Sequence, residues 1–134
     1  MANNIFRVKC SCGHVQDAGV GNVCPRCKQQ IPFPQGGSLY IYRKGSPLGV
    51  AGGFGIYIDG QPMGLIGNKQ TVCIPLPSGQ HNLHVAAGMN RKCTDLVFNL
   101  TPENPIAYSK VYMKMGFWAN SFVIEPATRD EMPI

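Results

Sequence analysis

Charge is scarce in this chain of 134 residues: Asp, Glu, Lys and Arg together make up 14% of it, against roughly 25% in an average soluble domain. A highly charged disordered segment is therefore excluded, and a hydrophobic share of 44% asks for a packed core. Long apolar runs are missing as well. No stretch reaches the about 18 apolar residues of a membrane span, and no charged-then-apolar leader opens the chain. Neither a transmembrane segment nor a signal peptide is expected, and Met-Ala-Asn-Asn reads as an ordinary cytosolic beginning. No segment keeps a helical period over about eleven residues, so helices are not expected either. The residues for catalysis are also thin. His81 and His84 stand three apart in a strand-like run and point to opposite faces. Asp59 sits in a turn, and Asp130 and Glu131 lie in a polar tail. The glycine run from Gly45 to Gly55 lacks the Gly-Lys-Ser/Thr ending of a phosphate loop and reads as a flexible connection. An enzyme is not expected.

Glycine and proline are plentiful, at 16 and 11 residues, and they punctuate short alternating apolar runs. From Ser38 onward these runs are Ser38–Arg43, Phe54–Asp59, Pro62–Ile66, Gln70–Leu76, Asn82–Ala87, Thr94–Leu100, Ala107–Met115 and Ser121–Glu125. Asp59-Gly60 favours a tight hairpin turn between two of them. The pattern predicts an all-β fold: a small ribbon followed by an immunoglobulin-like β-sandwich of seven to eight short strands. Before it, Ile5-Phe6-Arg7-Val8-Lys9 alternates and predicts one more short strand. Ile31-Pro32-Phe33-Pro34-Gln35-Gly36-Gly37 reads as a linker, which puts the ribbon at 1–35 and the sandwich, with a short polar C-terminal tail, at 36–134.

Four of the six cysteines carry the strongest chemical signal. Cys10 and Cys12 form one close pair and Cys24 and Cys27 another, with eleven residues between the pairs. Two tight turns can each bring two thiolates to one tetrahedral Zn²⁺, and a four-thiolate site has no open position, so one structural ion is expected. Pro25 presets the second turn, and Gly13 can take the positive φ that the first requires. His14 is an alternative ligand should the short Cys-x-Cys turn fail to close. A segment of this length buries too little apolar surface to fold alone, which favours a metal over two disulfides or free thiols. Thiolates held for zinc fit a reducing, cytoplasmic setting. Cys73 and Cys93 read as small buried residues, or as a bridge if the chain is exported.

The formal charge of +5 shrinks on metal binding, since four thiolates around Zn²⁺ contribute a net −2 and leave about +3. Arg7, Lys9, Arg26 and Lys28 flank the cysteines and can serve to neutralise them. They also supply an alternative reading, nucleic-acid binding through the basic ribbon. The five tyrosines stand opposite aliphatic neighbours in their strands. With the aliphatic side inward, Tyr40, Tyr42, Tyr57, Tyr108 and Tyr112 face outward together with Lys110 and Lys114, a surface suited to a partner. A protein partner is the first expectation and nucleic acid the second; oligomeric state is left open.

Cys12-Gly13-His14 and Cys24-Pro25-Arg26-Cys27 resemble the paired turns of bacterial and archaeal zinc ribbons. That resemblance implies a structural ion. The hairpin Ile56-Tyr57-Ile58-Asp59-Gly60-Gln61-Pro62-Met63-Gly64, followed by Pro77-Ser78-Gly79-Gln80 and a His-containing strand, is similar to the PEGA domains and related bacterial domains. It implies a β-sandwich without known catalysis, often a surface-associated or ligand-contacting module; the first functional expectation for the whole chain is a non-enzymatic binding or adaptor protein.

Overall fold

The computed structural model describes residues 4–10, 12–17, 23–31, 36–44, 54–67, 69–86, 95–114 and 121–131, with backbone alone for 4–6, 17, 113–114, 121–122 and 131. The linker prolines, most of the glycine run, Cys93 and Trp118 lie outside the described residues. Ten strands are described: β1 (Asn4–Lys9), β2 (Val15–Asp17), β3 (Gly36–Arg43), β4 (Phe54–Ile58), β5 (Gln61–Ile66), β6 (Thr71–Pro77), β7 (Gly79–Ala86), β8 (Leu96–Leu100), β9 (Ile106–Lys114) and β10 (Ser121–Pro126). A 3₁₀ turn at Arg129–Glu131 follows. No helix among the described residues is long and apolar enough to cross a membrane. The fold is all-β. The last eight strands coincide with the eight runs read from the sequence, the largest shift being β7, which starts at Gly79 rather than Asn82.

Two sheets enclose the main core. The six-stranded sheet has the order β10-β9-β3-β6-β1-β2 and the four-stranded sheet β5-β4-β7-β8. Strand alternation explains why: Leu39 and Ile41 of β3, Ile56 of β4, Leu83 and Val85 of β7 and Val111 of β9 all turn to the same interior and are fully buried. β6 is buried on nearly every residue because β3 and β1 flank it and both its faces are covered. Its Pro75 is tolerated for a local reason. The Ser38 N–H opposite it donates towards Pro105, away from β6, so that pair carries no ladder bond. The Pro75 nitrogen therefore faces the side where the pairing of β1 with β6, confined to Thr71 to Cys73, has already ended.

β1 belongs to both parts of the chain. Asn4 to Phe6 run parallel to Thr71 to Cys73 of β6, whereas Arg7 to Lys9 pair antiparallel with Val15 to Asp17 of β2. Arg7 fastens the junction. Its side chain, 7% exposed, reaches across to β5 and donates from Nη1 to the carbonyls of Met63 (3.3 Å) and Leu65. Gly64 between them has φ +83°, and a Cβ there would stand 3.0 Å from that same Nη1. Both conditions keep this position glycine.

Candidate metal centre

The four cysteines sit on two backbone knuckles. The first closes the β1–β2 hairpin, where the Cys10 N–H donates to His14 O at 2.7 Å and the Gly13 N–H donates back to Cys10 O at 2.9 Å. Gly13 adopts φ +100°, as its place in this turn requires. The second knuckle follows Val23, which bridges to Gln30, and is closed by Cys24 N–H to Gln29 O (2.9 Å) and Lys28 N–H to Cys24 O (2.8 Å). Pro25 starts that turn and Lys28, at φ +66°, ends it.

The two knuckles face each other. All four sulfurs lie within 4.8 Å of one another and can hold a metal ion. Cys10 Sγ is 3.4 Å from Cys27 Sγ, and Cys12 Sγ is 3.6 Å from Cys24 Sγ. A tetrahedral ion with metal–sulfur bonds of about 2.3 Å separates its ligands by about 3.8 Å, so the cluster fits such an ion with small adjustments. All four are free thiols. Beneath them Val8 and Ile31 pack with Cys10 and Cys24, which form the apolar cluster of this region.

Backbone N–H groups point at the sulfurs and set their charge. That of Cys12 faces Cys10 Sγ and, against the opposing effect of burial, brings this thiol down to about 6. Burial alone would raise Cys24, but the N–H groups of Cys27 and Arg26 outweigh it and lower the thiol. Cys27 receives the Gln29 N–H, yet the sulfurs of Cys10, Cys24 and Cys12 beside it, together with burial, push it up to about 12. Cys10 and Cys24 are favoured as thiolates while Cys27 resists ionising beside them, which is the situation a divalent cation relieves. His14 stands outside the cluster and pairs with Gln16 Oε1 at 3.2 Å.

The residues of the expected partner face divide between two surfaces. Tyr40 and Tyr42 of β3 and Tyr108, Lys110 and Tyr112 of β9 are half-buried on the outer side of the six-stranded sheet. The register sets Tyr40 beside Tyr108 and Tyr42 beside Lys110. The rings of Tyr40 and Tyr108 stack at 5.4 Å, and the Tyr112 hydroxyl donates to Glu125 Oε1 while Lys44 Nζ lies 4.8 Å above its ring. Burial, and then Cys73, raise the Tyr40 phenol; the Glu125 hydrogen bond raises that of Tyr112. Tyr57 is elsewhere, on the outer side of the four-stranded sheet beside His84. The period-two pattern assigns each tyrosine an outward register but does not say which sheet its strand joins. The side chain of Lys114 is outside those described.

The two histidines do take opposite faces. His81 is buried, with Nδ1 2.7 Å from Asp59 Oδ2 and Nε2 2.8 Å from the Pro77 carbonyl, and so ties two turns together. His84 faces outward to Asp95. Cys73 is a buried free thiol that burial pushes up. Sequence reasoning missed Arg7 and Asp95; Arg7 looked like one of four surface charges, and no local pattern announces its contact with β5.

No protein-family model matches the chain, and no match was found among the curated proteins or the solved structures. The four-sulfur cluster and the all-β fold stand on the geometry of this chain.

Proposed function

We propose that the protein is a non-enzymatic, cytoplasmic binding or adaptor module whose ribbon is held by one structural Zn²⁺, with the sandwich recognising a protein partner. The observation that carries this reading is the convergence of four thiols, from two knuckles, on one point. Four soft ligands in a closed set suit Zn²⁺, and with every position taken by protein the ion has no site for substrate. The half-buried tyrosines and Lys110 on the six-stranded sheet offer rigid aromatic area with a charged rim, the composition of a protein interface. Nucleic-acid binding through the ribbon is the second reading. It loses one of its four cations, because the Arg7 guanidinium is engaged with β5 and is not free to meet phosphate.

Two measurements test the proposal. Protein purified without added metal should contain one zinc per chain, with four thiols that alkylate only after chelation. Partners that co-purify with the native chain should be lost from Tyr40→Ala and Lys110→Glu and kept by Tyr57→Ala, which lies on the opposite sheet. An identical set of partners in all three variants contradicts the assigned face. Retention of DNA or RNA that weakens steeply with salt replaces it with the nucleic-acid reading.

A further inference from the structure

The outer side of the four-stranded sheet carries a cavity of about 400 Å³, lined by Tyr57, Gly60, Asn82, His84, Ala86 and Asp95. Its size falls within the range of small-molecule sites. Strand register builds it. Tyr57 of β4 pairs with His84 of β7. The β7–β8 register, which sets Leu83 opposite Leu96, brings Asp95 alongside His84. One row of side chains thus crosses three strands, and Asn82 lies on the same face two residues before His84.

The polar groups are ordered from behind. Asp95 takes His84 Nδ1 on Oδ1 at 2.7 Å and Asn82 Nδ2 on Oδ2 at 3.0 Å. These two hydrogen bonds hold the Asp95 carboxyl below the usual carboxylate range, so it accepts from both neighbours. In its neutral form His84 then donates from Nδ1 and offers a lone pair on Nε2, while Asn82 donates from its amide nitrogen and keeps its oxygen. The carboxylate serves these two partners and keeps a second lone pair on each oxygen. The cavity is left with two neutral acceptors, a phenol that can donate or accept, and the face of the Tyr57 ring, 5.8 Å from the imidazole.

That arrangement selects among ligand chemistries. An anion such as phosphate needs cationic donors, and no Lys or Arg lines the cavity among the described residues. A cation would meet a single carboxylate here, Asp95 being the one acid that lines the cavity among the described residues, and each of its oxygens already accepts a hydrogen bond. Hydroxyl groups meet the requirement, since each donates to one acceptor while the apolar side of the molecule rests on the aromatic ring. The geometry points to a binding site for a neutral polyhydroxylated ligand, a sugar ring, with Tyr57 as its platform and His84 and Asn82 as its hydroxyl acceptors. This site lies on the opposite sheet from the proposed partner face and does not depend on that reading.

The test is chemical-shift mapping on the full-length, metal-loaded chain, with glucose, galactose and N-acetylglucosamine and their short oligomers at millimolar concentration. Inorganic phosphate and arginine amide serve as anionic and cationic controls. The sugars should shift the resonances of Tyr57, Asn82, His84, Ala86 and Asp95 and leave the metal centre unchanged. Tyr57→Ala and Asp95→Ala should each weaken the binding by about tenfold or more, and Tyr57→Phe, which keeps the ring, by less. Asp95 is exposed, so its removal tests the site even if Tyr57→Ala disturbs the strand. Equal affinity for monomer and oligomer identifies a free sugar, and much tighter binding of an oligomer identifies a glycan chain. No response to any of these sugars, a response to phosphate or arginine amide alone, or unaltered binding by both alanine variants overturns the assignment.

Discussion

Among the described residues, sixteen buried hydrophobic ones drawn from both sheets fill the sandwich, whereas Val8, Cys10, Cys24 and Ile31 make up the cluster beneath the cysteine knuckles. The two regions are both β-structure, yet they rest on different physics. The sandwich excludes water from a continuous apolar interior, and its short strands are held by packing. Four side chains cannot offset the entropy of ordering two turns, so the knuckles need a cross-link, and their sulfurs are set out for one. What joins the regions is β1, half in each, with Arg7 bonded to the edge carbonyls of β5. The ribbon is accordingly built into the sheet by its first strand while its far end depends on the sulfurs.

The comparison can be broken from either side. The largest effect is expected for Cys24→Ser, because structural zinc contributes an apparent 10–16 kcal/mol or so in zinc-finger peptides. Metal analysis should find the ion lost, and rapid alkylation of Cys10, Cys12 and Cys27 should show the knuckles unfolded, while the sandwich still melts cooperatively. Leu39→Ala or Ile56→Ala attacks the other region; each empties a fully buried site and should cost about 2–5 kcal/mol in denaturant melts, with zinc retained until global unfolding. Arg7→Met tests the junction. It leaves the Met63 and Leu65 carbonyls without their donor and should cost about 1–3 kcal/mol, and Gly64→Ala should produce a similar loss from the same contact.

The smallest effect concerns acid. Burial alone would raise the Asp59 carboxyl, but the hydrogen bonds from His81 and the Asn82 N–H outweigh it and lower it. A carboxyl lowered on folding stabilises the protein above its unfolded value of about 3.9, and that contribution disappears as pH falls through the folded value. Asp59→Asn should therefore lower stability slightly at neutral pH and flatten the acid limb, the difference from the parent closing as pH falls through the folded value. The effect is modest because Asp59 is exposed and its charge is screened by solvent.

Much of this was legible in the residues because the signals are local. Alternation and turn residues locate β3 to β10, and the cysteine spacing locates the knuckles. Gly13 took its positive φ for the reason its place in the turn implied. The pairing of β1 with β6 was not legible. It joins residues far apart in sequence, and a parallel neighbour leaves no turn signal between the two strands. β2, at three residues, is too short to show a period. The same limit hid the partition of the tyrosines. Alternation places Tyr57 opposite Ile56 and Ile58, but only the sheet order separates it from Tyr40 and Tyr108. Arg7 shows the limit of composition: counted as surface charge, it is one of the buried residues that hold the two regions together.

The central claim is that the knuckles depend on a metal and the sandwich does not. Native-state hydrogen exchange, followed residue by residue before and after chelation, tests it most directly. Amides at 8–10, 12–17 and 23–31 should lose protection on chelation while those of β3 to β10 keep it. Equal loss across both regions, or knuckles that stay protected without metal, would contradict it.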